Sequence, residues 1–174
     1  RIKELNTKAM MVCYGNYAVM NEPHLRSAGV DFIFGGEGEA RLAEICTSLM
    51  AGMEVGPGET IRLERQRYPV PDRSGLLGLS QYAHLLPAEG PPRMAGYTET
   101  TRGCKHLCSH CPIVPVYQGR FFVIDHDVVL QDIAQQVRMG AEHITFGDPD
   151  FFNGPSHGIR VVEALAERHP NLTY

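Results

Sequence analysis

Thr101-Arg102-Gly103-Cys104-Lys105-His106-Leu107-Cys108-Ser109-His110-Cys111-Pro112 is the stretch on which the reading of this chain turns. Three of the five cysteines fall here, spaced C-x3-C-x2-C. Three thiols this close, with no nearby fourth, suit a metal cluster better than a disulfide framework. An iron–sulfur cube takes one thiolate per iron, and its corners normally need four. Cys104, Cys108 and Cys111 would hold three of them and leave one iron open to an outside ligand. An open metal position is what a catalytic site keeps and a structural site closes. Zinc is the competing metal. Its cysteines usually come as C-x2-C with a second pair farther along, and no second pair follows here. His106 and His110 could complete a four-ligand zinc site, but both lie inside the loop, where closing a tetrahedron would be cramped.

The same C-x3-C-x2-C is the signature of the cluster loop in the radical S-adenosylmethionine enzymes, which this stretch resembles. The resemblance implies a 4Fe-4S cluster on the three cysteines, with the open iron binding the amino and carboxylate groups of S-adenosylmethionine. It implies that an electron, from a reductant such as flavodoxin or ferredoxin, passes through the cluster and cleaves the sulfonium. The products are methionine and a 5′-deoxyadenosyl radical, which abstracts hydrogen from a substrate that the residues do not reveal. The family's residue just before the third cysteine is usually aromatic and packs near the adenine. Here it is His110, a flat ring that can stack or donate.

The family's second-strand exit carries a Gly-Gly-Glu-like motif for the amino group of S-adenosylmethionine, and its cobalamin-type branch often has an acidic Asp-x-x-Phe-like turn instead. Gly147-Asp148-Pro149-Asp150-Phe151 is similar to that variant. Asp148 is the candidate for the ammonium, with Asp150 beside it, because a carboxylate gives the cation a charge-assisted hydrogen bond. The other reading of the pair is a polar turn whose acids cap backbone groups.

Upstream, residues 9–15 (Ala-Met-Met-Val-Cys-Tyr-Gly) form an apolar run ending at a glycine. They read as a buried parallel strand leading into a loop at residues 16–18. A short helix at 23–27, an apolar strand at 31–34 and a helix at 40–50 follow. Gly36-Glu37-Gly38 invites a dinucleotide reading that fails: Arg41 stands where the third glycine belongs, and two glutamates would repel a pyrophosphate. The order instead resembles the last third of the cobalamin-binding domain that precedes the radical domain in one large subgroup. Its Gly-Glu-Gly-Glu turn corresponds to residues 36–39, and Gly15 matches the first glycine of the loop along the cofactor's nucleotide tail. The resemblance thus assigns Gly15 and Gly38 to cobalamin. Asn16 departs from the family's second glycine, the upstream Asp-x-His-x-x-Gly loop has no counterpart, and some members carry this fold without the vitamin. Glu37 and Glu39 are either helix-start acids or ligand-facing. Cys13 and Cys46 read as small core hydrophobes.

Residues 52–95 are punctuated by prolines and glycines and read as an inter-domain linker. Residues 95–101 alternate like a strand and run directly into the cysteine loop, the place where a β/α barrel puts its chemistry. A helix at 127–139 with a cap at Asp125 or Asp127, a strand at 143–146, a helix at 159–168 and the start of a strand at 172–174 complete the chain. The expected fold is α/β. Residues 1–51 would be the end of an open Rossmann-like, cobalamin-binding-type domain, and residues 96–174 the first β/α units of a partial TIM-type radical S-adenosylmethionine barrel. With parts of both domains unaccounted for, the chain reads as an internal fragment of a longer protein. Residues 103–174 also resemble a narrower cobalamin-type group with a Cys-Cys or selenocysteine-Cys tail, sharing Arg-Gly-Cys-Lys-His-Leu-Cys-x-His-Cys-Pro and Gly-Asp-Pro-Asp-Phe-Phe-Asn-Gly.

A net charge of −4 over 174 residues, with scattered Arg and Lys, gives no electrostatic case for nucleic acid. No apolar run approaches the roughly 20 residues of a membrane span. Five cysteines, three in a metal-type cluster, point to a reducing cytoplasm. Two other functions fit the same loop: a non-catalytic iron–sulfur electron carrier, and a zinc-stabilised binding module.

Overall fold

A computed structural model describes all residues, Arg1–Tyr174. The chain forms two compact units, Arg1–Gln66 with Lys105–Arg120, and Arg67–Cys104 with Phe121–Tyr174. Residues 52–95, expected as a linker, are thus shared between the two. No helix is long and apolar enough to cross a membrane.

The first unit opens with the one-turn helix α1 (Ile2–Leu5) and is built on three parallel strands, β1 (Val12–Tyr14), β2 (Phe32–Gly36) and β3 (Ile61–Arg62), in the order β1-β2-β3. The middle strand carries the continuous apolar run of a strand buried on both faces. Ile33 packs with Ala18 and Val30, while Phe32 and Phe34 pack with Ile45 on the other side. Ala18 comes from α2 (Asn16–Met20) and Ile45 from α4 (Glu39–Met50); α3 (Glu22–Ser27) adds Leu25, and Val30 stands just ahead of β2. Residues 16–18, expected as a loop, are the start of α2, because Ala18 gains a buried place against Ile33.

Cys13 packs against the Ile33 cluster as expected, whereas Cys46 is exposed. The buried stripe of α4 runs through Leu42, Ile45 and Leu49 and admits Arg41 instead. A buried guanidinium is costly unless its N–H groups find acceptors, and here both Nη groups do while Nε does not. Arg41 donates to the Gly56 carbonyl and pairs with Glu44 at 2.8 Å. The remaining element of this unit is α5 (Val114–Tyr117), in the second half of the cysteine loop. Val116 is fully buried against β2, and at Gly35 of that strand a Cβ would meet Val19 of α2 at 2.5 Å, so glycine is what lets α2 approach.

In the second unit β4 (His84–Leu85), β5 (Arg93–Thr98) and β8 (His143–Phe146) form one sheet in that order. The β5–β8 pair is parallel, from Ala95 opposite His143 to Thr98 opposite Phe146. The β4–β5 pair is antiparallel. The strand expected at 172–174 is reduced to one parallel bridge, Thr173 to His143. Helix α6 (His126–Arg138) joins the parallel strands and α7 (Pro155–Arg168) follows β8. Asp125 caps α6, accepting the Asp127 N–H at 2.9 Å. A core of Val129, Leu130, Ile133, Ile144, Val161 and Leu165 lies between these elements. Leu79, from a single 3-10 turn (Leu79–Gln81), joins it, so residues 67–95 do contribute to a core. Helix α7 starts four residues before the apolar pattern does. Pro155 at its first turn needs no N–H partner there.

Beside that core lies a buried polar knot. The Asp132 carboxylate accepts both Arg73 Nε–H at 2.7 Å and Arg73 Nη2–H at 2.9 Å, with Thr98 Oγ1–H at 2.9 Å. Gln136 Nε2–H donates to it as well, at 3.1 Å. The ion pair thereby ties residue 73 of the supposed linker to α6.

The cysteine loop and its base

The base of the cysteine loop is an antiparallel pair that the sequence reading did not foresee. Strands β6 (Thr101–Gly103) and β7 (Phe121–Val123) close on each other with Gly103 opposite Phe121. Gly103 has φ 74°, a left-handed conformation that glycine adopts without strain. Arg102 lies over the Tyr68 ring at 4.5 Å and pairs with Glu99 at 3.4 Å, which fixes this strand end.

Asp148 sits immediately below. Its Oδ1 accepts the Thr100 hydroxyl at 2.7 Å, the Thr101 N–H at 2.6 Å and the Thr101 hydroxyl at 2.7 Å. The Thr100 N–H is shared between Oδ1 at 3.1 Å and Oδ2 at 3.0 Å. Charge-assisted bonds of this kind are about twice as strong as neutral ones. The carboxylate therefore braces the two residues that lead into the loop, and most of the load falls on one oxygen. Asp150 caps the 3-10 turn Phe151–Asn153, accepting the Phe152 N–H at 2.9 Å.

That turn delivers Asn153, buried to 4% exposure, to Cys104. The Cys104 thiol donates to Asn153 Oδ1 at 3.7 Å. His157, on the first turns of α7, is 5% exposed, and neither ring nitrogen has a partner within hydrogen-bond geometry. Burial pushes its imidazole below the ordinary histidine range, and the charges of Arg160 and His126 add to this. The Thr100 backbone and Asp148 pull weakly the other way. Asn153 and His157 were not singled out from the sequence. Asn153 stands in the quoted Gly-Asp-Pro-Asp-Phe-Phe-Asn-Gly run, which was the available signal.

Beyond Cys104 the character changes. Residues 105–110 are all exposed, Cys108 and His110 among them, and Cys111 is half-buried. Two turns organise the tip: the Cys111 N–H donates to the Cys108 carbonyl at 3.3 Å, and the Val114 N–H to the Cys111 carbonyl at 3.3 Å. Then α5 begins, and the Tyr117 hydroxyl donates to Glu37 Oε1 at 3.0 Å. Glu37 is 1% exposed; its N–H donates to the Arg62 carbonyl at 2.7 Å, and its own carbonyl accepts from Gln66. Glu37 thus serves the interior of the first unit, whereas Glu39 stands in the first turn of α4.

The two glycines assigned to cobalamin have different surroundings. Gly15 takes φ 96° ahead of α2, and nothing lies within 4 Å of where a Cβ would sit. At Gly38 a Cβ would meet the Phe34 ring at 2.5 Å, so packing alone requires glycine there.

No group of three His, Cys, Asp or Glu side chains is gathered at metal-ligand spacing. The chemistry of the donor set nevertheless suits an iron–sulfur cluster. Two thiols lie at or near the surface of a loop without regular structure, and the third sits at the loop's braced end.

No family model matches the sequence, and no curated protein matches it. Among solved structures, the chain is similar to the radical S-adenosylmethionine methyltransferase TsrM from Kitasatospora setae with cobalamin and a 4Fe-4S cluster bound. That likeness has 18% identity and a TM-score of 0.64, and covers 94% of this chain and 35% of the other. A second structure of TsrM, with its tryptophan substrate and the S-adenosylmethionine analogue aza-SAM, gives 20% identity and a TM-score of 0.64, and covers 97% of this chain. The chain spans about a third of the length of these enzymes, 35%. At such identities the likeness establishes the fold alone: mixed α/β with parallel sheets, as in the matching part of TsrM. It does not bear on the narrower group with the Cys-Cys tail.

Proposed function

We propose that this chain is the cluster-bearing part of a radical S-adenosylmethionine enzyme, with Cys104, Cys108 and Cys111 as the iron ligands and methyl transfer assisted by cobalamin as its reaction class. The observation that carries the reading is the C-x3-C-x2-C run at the exit of the strand segment β5–β6, in a chain with the fold of such an enzyme. When bound, the cluster supplies the electron that splits S-adenosylmethionine into methionine and a 5′-deoxyadenosyl radical, and the protein's work is to hold and orient the reactants.

The residues divide that work. Asp148 holds Thr100 and Thr101, and so aims the chain into Cys104. Its Oδ2 accepts only part of one backbone bond, which leaves lone pairs for an ammonium such as the amino group of S-adenosylmethionine. His110, on the exposed tip, supplies a ring on which an adenine can stack. Asp150 shapes the exit turn by capping it. The open ground beside Gly15 suits close approach by a cofactor's tail.

The test is anaerobic reconstitution of the chain with iron and sulfide, followed by S-adenosylmethionine and dithionite. About four irons per chain and release of 5′-deoxyadenosine are expected, and Cys104→Ala, Cys108→Ala or Cys111→Ala should each lose most of the iron. Full iron in all three variants sinks the assignment. A cluster that yields no 5′-deoxyadenosine supports the electron carrier, and bound zinc without iron supports the binding module. Hydroxocobalamin titrated against the chain, followed by visible absorption, tests the cobalamin part separately.

A further inference from the structure

We infer that the side-chain amide of Asn153 is a positioning residue for the cluster: it hydrogen-bonds Cys104 Sγ when that sulfur is an iron ligand and raises the cluster's reduction potential. The inference rests on the cluster reading above and adds a residue that the three-cysteine motif does not contain.

The starting point is the contact of Cys104 Sγ–H with Asn153 Oδ1 at 3.7 Å, between groups 9% and 4% exposed. Ligation to iron requires the thiolate and expels that proton. Sγ then has nothing to donate and becomes an acceptor. A carboxamide answers both states, since it carries a carbonyl on one side and an NH2 on the other. Turning about its terminal torsion replaces Oδ1 by Nδ2, and the N–H points at sulfur. Aspartate in this place could only accept and would repel the thiolate. Leucine would offer no polar atom at all.

The amide is also well placed to matter. Its backbone N–H donates to the Asp150 carbonyl at 3.1 Å, inside a turn whose first N–H partner is the Asp150 side chain. Cys104 follows directly on the segment held by Asp148. The loop at 147–154 therefore fixes both ends of the contact. In such a buried setting a hydrogen bond is electrostatically stronger than in water. Donors to cluster sulfurs stabilise the reduced, more negative state, and such outer partners tune metal sites.

The experiment is a redox titration of the reconstituted 174-residue chain, with dithionite adding one electron per cluster and the reduced form read by electron paramagnetic resonance. Wild type, Asn153→Leu and Asn153→Asp are compared at equal iron content. The potential should fall from wild type to Asn153→Leu and fall further in Asn153→Asp. Equal potentials in variants that hold their iron overturn this inference while leaving the three-cysteine reading intact. A wild-type chain that takes up no iron overturns both. Wild type made with isotopically labelled asparagine side-chain nitrogen gives a check that needs no variant. A coupling from that nitrogen should appear in pulsed spectra of the reduced cluster, and its absence overturns the inference even where a variant fails to fold.

Discussion

The loop after β8, residues 147–154, and the loop after β6, residues 104–113, both follow short strands and both are rich in polar side chains. The first is tied down along its length. Asp148 accepts from Thr100 and Thr101, Asp150 from Phe152, and Asn153 from Cys104. The second is tied at its root and left with six consecutive exposed residues, 105–110, and two turns join it to α5. The difference fits the division of work proposed above. A loop that sets the direction of another must be rigid before any ligand arrives. A loop that wraps a cluster gains its fixed shape from metal bonds, so its stability is supplied on binding.

That contrast can be broken at several points. The largest effect is expected at the brace. Asp148→Ala strips the partners from two backbone N–H groups and two hydroxyls, and hydrogen bonds to a charged group are worth about 1.5–3 kcal/mol each. Because they share one carboxylate they do not add, and a loss of about 3 kcal/mol in the metal-free protein is expected. Denaturant titration reads it, and an unchanged midpoint would mean that the loop at 147–154 is not load-sharing with the root of the cysteine loop.

A smaller, pH-dependent effect is expected at His157. Its folded pKa lies below the ordinary 6.5, so above that value both folded and unfolded chains carry it neutral and it adds no pH dependence. As pH falls through about 6.5 the unfolded chain takes up the proton first. Stability is therefore lost progressively until the folded pKa is passed. His143, also depressed by burial and by Arg93, acts in the same direction. His157→Leu should flatten the decline in melting temperature on acidification without abolishing it. An identical decline would place the acid sensitivity elsewhere.

The smallest effect sharpens the other side. Ser109→Ala, at the exposed tip, should change the stability of the metal-free protein by less than about 0.5 kcal/mol. A larger loss would show that the tip carries structure of its own.

Much of the fold is written in local patterns. The apolar run at 31–34 marks a strand buried on both faces, and β2 is that strand. Asp125 before an apolar stripe and Gly140 after it bracket α6, whose cap and last turn lie where those residues stand. These features survive because propensity, capping and burial act within one element and point the same way. Where the partners are far apart, the local pattern misleads. Cys46 lies on the apolar side of a helical wheel, yet Arg41 is buried and Cys46 is exposed, since only the fold brings the Gly56 carbonyl to the guanidinium. Proline and glycine at 52–95 suggest a linker, yet Arg73 enters a buried ion pair with Asp132.

The candidate site divides in the same manner. The three thiols of C-x3-C-x2-C are legible from the chain alone, because their spacing is local. So is the acidic turn that residues 147–151 form after a strand. What those acids hold depends on contacts made in the folded chain. Asp148 meets Thr100 and Thr101 across 48 and 47 residues, and Asn153 meets Cys104 across 49. Contacts at such separations depend on the parallel pairing of β5 with β8, which sets their strand ends side by side, and no local pattern in either segment encodes that pairing.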